Sequence, residues 1–185
     1  MAARKVKTLL LYEADVKVLS PQVSPAILGL PAVKTGLVGP DLEEEIRQAA
    51  LVVAASDSRK TNHEVSKICH RLGIPVNVAD APEECTFLFP AVVKKGDISI
   101  GISTGGGSPV VSSVLRREIE DSMPDYYADI AVQMGRMRKR VRETVPDEKD
   151  RRRCLKEAAA RAFEHKRTLK DEEIREIIHR QDDSL

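Results

Sequence analysis

No run of apolar residues in this sequence approaches the ~20 needed to cross a bilayer. The first residues carry no signal-peptide pattern either. Both absences predict a soluble cytoplasmic protein with no membrane partner. Cysteine is scarce: Cys69, Cys85 and Cys154 are far apart, odd in number and without a CxxC pair. That excludes a disulfide framework and reads as reduced thiols. The net charge is only +1, so there is no general reason to expect nucleic acid as a partner. His63 and His70 stand at helix spacing beside Cys69, but no third ligand completes a metal-site spacing. They read as surface or core residues, and no metal is expected. Ser-His-Asp spacing, internal repeats and low-complexity tracts are all missing.

What is present fits one core with an appendage: 185 residues, 42% of them hydrophobic. Residues 1–12 read as a helix with Val6, Leu9 and Leu10 on one face. Strands are expected at 16–19, 33–38, 51–55 and 75–78. A helix with acids in its first turn is expected over 40–50. Another runs to Leu72, opened by a capping box at Thr61 and Glu64 and stopped at Gly73. This alternation predicts an α/β domain with a parallel sheet covered on both faces. Nucleotide-binding domains of that kind begin with a strand and a glycine-rich turn before the first helix. Here the chain begins inside the helix, so a reduced domain or a start upstream of Met1 is expected.

Beyond Pro90 the pattern changes. Residues 91–94 and 98–103 are apolar runs joined by a Lys95-Gly96-Asp97 turn, a hairpin-like pair. Ser108-Pro109 is a helix start, with Ser as N-cap and Pro at the first helical position. The rest is helical by pattern, with breaks near Pro124, 146–147 and Thr168. Its exposed positions are heavily charged, and the Arg-rich stretch 136–153 reads as a solvated helix face. Tryptophan is absent from the whole chain. A small helical domain that packs on itself or on a second subunit is expected.

The candidate chemistry lies in the stretch 51–109. The loop 103–108, Ser-Thr-Gly-Gly-Gly-Ser, precedes a helix N-terminus. Backbone N–H groups, the helix dipole and hydroxyls there suit a phosphate or carboxylate, but the loop lacks both GxGxxG spacing and a P-loop Lys. A plain tight turn stays open as a reading. Asp80 follows a buried-type strand, where ligands gather in α/β sheets. It reads as an acid that abstracts a proton or holds a cation, or else as a cap for Ala81-Pro82. Ser56, Asp57 and Asn62 read as cleft-lining residues or as turn and cap residues.

The motifs taken together are more specific. VVAASDSRKTNHEV, VNVADAPEECTFLFPA and ISTGGGSPVVSSVLRREIE occur in this order. They closely resemble the "AATxD…N", "NVxDxPxxxxFxxPA" and "ISTxGxSPxxxxxLRxxIE" stretches of the siroheme synthase N-terminal module, the precorrin-2 dehydrogenase family. The opening AARKVKTLLLYEADVKVLSP is similar to that family's "VAxRKxxxLLxxGAxVxVxxP". The resemblance covers residues 2–123.

It implies a Rossmann-type parallel sheet whose first strand is missing here, a dimerisation region and a small helical domain. The expected divisions are 1–89, 90–124 and 125–185. It also implies a homodimer that oxidises precorrin-2, a tetrapyrrole, to sirohydrochlorin with NAD, on the route to sirohaem. Asp80 matches the family's catalytic acid. Ser20, Pro21 and Gln22 match the loop that holds the adenosine ribose, and Ala55, Ser56 and Asn62 the region beside the cofactor. Thr104, Gly105, Gly106 and Ser108 match the loop opening the dimerisation region. With Arg116, these are the expected substrate-binding residues. Lys94, Lys95 and Arg117 are further candidate partners for the substrate's carboxylates, with solvated surface charge the alternative for each.

Three departures accompany the likeness. The family's glycine-rich "GGGxVA" is expected just before Ala2 and is not in this sequence. Position 13 is Glu where the family has Gly, which predicts a strained turn. No acid closes the second strand of the family pattern, so NAD and NADP both stay open. Two rival functions follow from the same resemblance. One is a sirohydrochlorin ferrochelatase, and the other a tetrapyrrole-binding dimer without catalysis.

Overall fold

The computed structural model describes residues 1–31, 33–36 and 38–180. They form two compact units, one of described residues within 1–91 with 102–112, the other of 92–101 with 113–180.

In the first unit, α1 (Ala2–Leu10) leads into β1 (Val16–Leu19), the short α2 (Pro25–Leu28) and β2 (Val33–Gly36). Then come α3 (Leu42–Arg47), β3 (Val52–Ala54), α4 (Arg59–Leu72) and β4 (Val76–Val78). β1 pairs with β2 in parallel, Val16 opposite Val33 and Leu19 opposite Gly36. β3 pairs with β4 in the same sense, Val52 opposite Val76 and Ala54 opposite Val78.

The expectation of one parallel sheet is corrected here: among the described residues there are two separate parallel pairs. In a doubly wound sheet the strand that joins such halves precedes the first helix. The first described element is α1, so β1 and β3 have no shared neighbour. Each pair carries its own apolar cluster. Val6, Val16 and Ile27 are buried around the first, and Ile46, Ala54, Cys69, Val76, Val78 and Ala81 around the second. Burying one such Val or Ile contributes about 1.5–3 kcal/mol. Two polar ties run between the halves: Lys17 of β1 meets Glu45 of α3 at 2.6 Å, and Lys5 of α1 donates to Asn77 of β4. Within the second half, Arg71 of α4 meets Glu43 of α3 at 2.6 Å.

Several element ends differ from the sequence reading. Of the strand expected over 33–38, Val33–Gly36 is strand and Val38 is exposed, while Leu37 lies outside the described residues. The helix expected over 40–50 is confined to Leu42–Arg47, and the strand expected over 51–55 to Val52–Ala54. α4 opens two residues before Thr61, because Ser58 is its N-cap and accepts from Thr61 N. The capping box at Thr61 and Glu64 is therefore not formed. α2 was not expected; Ser24 and Pro25 start it at N-cap and first-turn positions. Gly73 ends α4 at φ +70°, a left-handed cap that favours Gly.

Beyond Pro90, β5 (Ala91–Lys95) and β6 (Ile98–Ile102) pair across a two-residue connection, which only an antiparallel pair permits. Gly96 turns the chain there at φ +56°. A Cβ on it would stand 3.0 Å from that of Ala128. α5 (Pro109–Ser122) follows the Ser108 cap as expected. α6 (Tyr126–Thr144), α7 (Glu148–Glu164) and α8 (Asp171–His179) follow, each set off from the helix before it at one of the three predicted breaks. They enclose a core that includes Ile130, Val141, Cys154, Ala158 and Ile177. The helical region does pack on itself. Asp147 caps α7 through Lys149 N and Asp150 N, and those backbone bonds hold its carboxyl below the ordinary range. No helix among the described residues is long and apolar enough to cross a membrane.

Candidate functional site

The register of the second strand pair builds one end of the site. Ala54 lies opposite Val78, and Ala79 N donates to Ala54 O at 2.8 Å. The two chains therefore leave the pair side by side, one into Ala55-Ser56 and the other into Asp80. This is the carboxyl end of parallel strands, where α/β sheets hold ligands. Asn62, buried in the first turn of α4, closes the first of these loops. Its Oδ1 accepts from Ser56 N at 2.9 Å and from Ser56 Oγ at 2.7 Å, and its Nδ2 donates to Ser56 O at 3.0 Å. Ala55, Ser56 and Asn62 are thus brought together with Asp80.

Asp80 is exposed and has φ +58°, a conformation that few residues other than Gly adopt. The short 3₁₀ turn Pro82–Glu84 behind it has no side-chain cap. Among the described residues, the Asp80 carboxylate makes no hydrogen bond or ion pair. The cap alternative is not realised. Strain of this kind persists where the surroundings hold it, and here they do. Residues 85–87 run back along β4: Val78 N donates to Cys85 Sγ at 3.1 Å, Thr86 N to Val76 O at 2.8 Å, and Asn77 Nδ2 to Phe87 O at 2.9 Å.

α4 grips the same turn from the other side. Ser66 Oγ donates to Glu84 O at 3.3 Å, and His70 Nε2 lies 3.3 Å from that carbonyl. His63 Nδ1 lies 3.0 Å from Glu84 Oε2, which accepts no well-aligned hydrogen bond, so that contact is one of proximity. Among the described residues, no cluster of His, Cys, Asp and Glu could hold a metal ion.

Ser20, Pro21 and Gln22 lie at the carboxyl end of β1, in the other strand pair. Ser20 N donates to Gly36 O at 3.0 Å. Its Oγ donates to Gln22 O at 2.5 Å and accepts from Gln22 N at 3.3 Å, a self-contained turn. The loop 103–108 is also largely self-contained. Gly107 N donates to Thr104 O, Ser108 N to Thr104 Oγ1 and Gly105 N to Ser103 Oγ. Those N–H groups are spent inside the loop, which is what a tight turn requires. Gly105 and Gly106 have φ +62° and +84°, and a Cβ on Gly106 would stand 3.3 Å from Leu88.

Three of the four basic candidates, Lys94, Lys95 and Arg116, are engaged. Arg116 pairs with Glu120 one turn along α5. Lys95 donates to Met123 O and meets Asp125 at 2.8 Å, holding that carboxyl below its ordinary range. Lys94 donates to Gly96 O at 2.7 Å. Lys5, Asn77 and Cys85 were not singled out as site residues, although all three frame the Asp80 turn. The Lys of α1 carries no local signal that it reaches β4.

Comparison with known families gives this geometry a context. A family model described as "Putative NAD(P)-binding" matches residues 1–91. A second, "Sirohaem biosynthesis protein central", matches residues 95–122. The "Siroheme synthase" of Thioalkalivibrio sulfidiphilus is 36% identical over 159 residues, covering 83% of this chain and 32% of that protein. That of Pseudomonas paraeruginosa is 36% identical over 158 residues, covering 82% of this chain and 33% of that protein. The chain thus spans about a third of the length of the curated relatives it matches. A solved structure, "SirC, precorrin-2 dehydrogenase", superposes with a TM-score of 0.74 at 20% identity, over 98% of this chain and 88% of that one. The fold is therefore SirC-like, with short parallel strands followed by a helical region. The chain belongs to the family of the siroheme synthase N-terminal module and precorrin-2 dehydrogenase, an NAD(P)-binding domain followed by the sirohaem central domain.

Proposed function

We propose that this chain oxidises precorrin-2 to sirohydrochlorin with NAD, in sirohaem biosynthesis, and does so as a homodimer. The observation that carries the reading is Asp80: a carboxylate without protein partners, held in a left-handed conformation at the carboxyl end of β4, beside the loop that Asn62 closes. The name of the SirC structure and the siroheme synthase relatives support the same reaction.

The residues present fit a dinucleotide. Ser20, Pro21 and Gln22 are at the ribose end in this reading, and Ala55, Ser56 and Asn62 beside the nicotinamide. α1 starts at Ala2 with no side-chain cap and no acid in its first turn, which suits a pyrophosphate. NAD, when bound, supplies the hydride acceptor. Asp80 then takes the proton that the macrocycle releases at the same oxidation, on one of its free carboxylate oxygens. Thr104, Gly105, Gly106, Ser108 and Arg116 are the proposed substrate contacts. Arg116 must then exchange Glu120 for a substrate carboxylate. Divisions at 1–89, 90–124 and 125–185 follow from the same reading, with the middle segment joining the two subunits.

The test is an anaerobic assay of NADH formation with precorrin-2 generated in situ, on this chain and on Asp80→Ala. Turnover by the parent and a loss on the order of 10²–10⁴ in the variant are expected. Full activity in Asp80→Ala overturns the role given to Asp80. Iron-dependent conversion of sirohydrochlorin without NAD points to chelation instead. Porphyrinoid binding without NAD binding points to a non-catalytic dimer.

A further inference from the structure

Lys5 is a half-buried lysine with no use in the reaction as described. Its ammonium donates to Asn77 Oδ1 and lies 5.3 Å over the centre of the Phe89 ring. No carboxylate comes within ion-pair distance of it among the described residues. Burial pushes its pKa below the ordinary lysine value and Arg4 adds to that, while Cys85 and Asp80 oppose it. A cation placed there loses hydration for a neutral amide and a ring face. An apolar side chain would fill the same space at less cost.

Asn77 supplies a reason for the charge. It is buried within β4, at 4% exposure, and both ends of its amide are in use. Lys is a donor only, so it fixes Oδ1 on the α1 side and leaves Nδ2 to face Phe87 O. The Nδ2 atom also lies 3.6 Å from Cys85 Sγ. Asn77 precedes Asp80 by three residues along the chain, and through Phe87 it holds the chain that returns after the Asp80 turn. It is where both sides of the left-handed turn meet.

We propose that Lys5 is a positioning residue for Asp80: by fixing which way the Asn77 amide faces, it holds closed the β4–Phe87 frame that keeps the Asp80 carboxylate in place. The proposal rests on the reading of Asp80 as the proton acceptor. Lys5 does not touch the reacting atoms, and its contribution is geometric.

The experiment is steady-state kinetics of Lys5→Met, Lys5→Arg, Asn77→Ala and the Lys5→Met/Asn77→Ala pair in the full chain. Asp80→Ala is the reference, and thermal melting is followed throughout. Lys5→Met is expected to lower kcat by a factor on the order of 100, as misplacement of a catalytic group does, with KM for NAD and precorrin-2 unchanged. Lys5→Arg should recover most of kcat, since a donor-only cation is restored. The double variant should be no worse than the poorer single one, because both act on one link. Should Lys5→Met fail to fold, Asn77→Asp keeps the acceptor for Lys5 and removes the donor to Phe87, and it must lower kcat in the same way. Wild-type kcat in Lys5→Met while Asp80→Ala is inactive overturns the proposal. So do an effect on KM alone, failed rescue by Arg, or losses that multiply in the double variant. Full activity in Asp80→Ala instead removes the reading on which the proposal stands.

Discussion

Asn62 and Ser56 exchange three hydrogen bonds, between the first turn of α4 and the loop leaving β3. The carboxamide is buried and all three bonds go to Ser56, so its loss frees the loop leaving β3 while water reaches the exposed Ser56 groups. Asn62→Ala is expected to cost about 2 kcal/mol of stability. NAD binding should weaken as the loop opens, while binding of porphyrinoid changes less. Denaturant unfolding and calorimetric titration with NAD check the two parts separately. Unchanged NAD affinity in a destabilised variant would make Asn62 purely structural.

Glu13 has φ +57° in the turn between α1 and β1. A side chain there carries a steric penalty that Gly avoids, partly offset by the greater freedom of Gly in the unfolded chain. Glu13→Gly is expected to stabilise the protein by about 0.5–1 kcal/mol. It should raise the denaturation midpoint without changing the slope. A lower midpoint would mean that Glu13 makes a compensating contact in solution.

The left-handed strain at Glu13 and the break points around α6, α7 and α8 were legible in the sequence, because Gly, Pro and cap residues act within a few positions. The Asn62–Ser56 grouping was legible only through the motif that carries it. His63 and His70 stand at helix spacing, which by itself marks only surface or core residues. Their common target, Glu84, was hidden because it lies 14 residues from His70 and reaches α4 only once β4 has formed. Lys5 and Asn77 are 72 residues apart, and no local pattern couples them. The split into two strand pairs also escaped periodicity, which identifies strands but not their neighbours.

α5 buries none of its residues, and Val110, Val111, Val114 and Leu115 are exposed along it. These positions, one turn apart, form an apolar stripe of the kind that marks an interaction face. In the proposed homodimer a second copy covers it. Val114→Asp is expected to shift the protein from dimer to monomer in light scattering after size exclusion, with the far-ultraviolet circular dichroism unchanged. A dimer that survives Val110→Asp/Val114→Asp would exclude this face from the interface.

Glu173 is held by both arms of Arg167, at 2.9 and 3.0 Å, and by Lys170 N at 2.6 Å, as a capping residue reaching back to the start of α8. The Arg167 bonds are the largest cause and the Lys170 amide the next, and together they lower the carboxyl to about 2, against 4.5 ordinarily. A carboxyl depressed on folding favours the folded state when ionised. Its contribution is fully present above about pH 5, drains as the pH falls through 4.5 toward 2, and is absent below that. Both side chains are partly exposed, so salt should reduce the effect. Melting of the parent and of Glu173→Gln, followed by circular dichroism from pH 6 to about pH 2, should give a gap that closes as acid is added. A gap that stays constant over that range would assign the loss to packing rather than to charge.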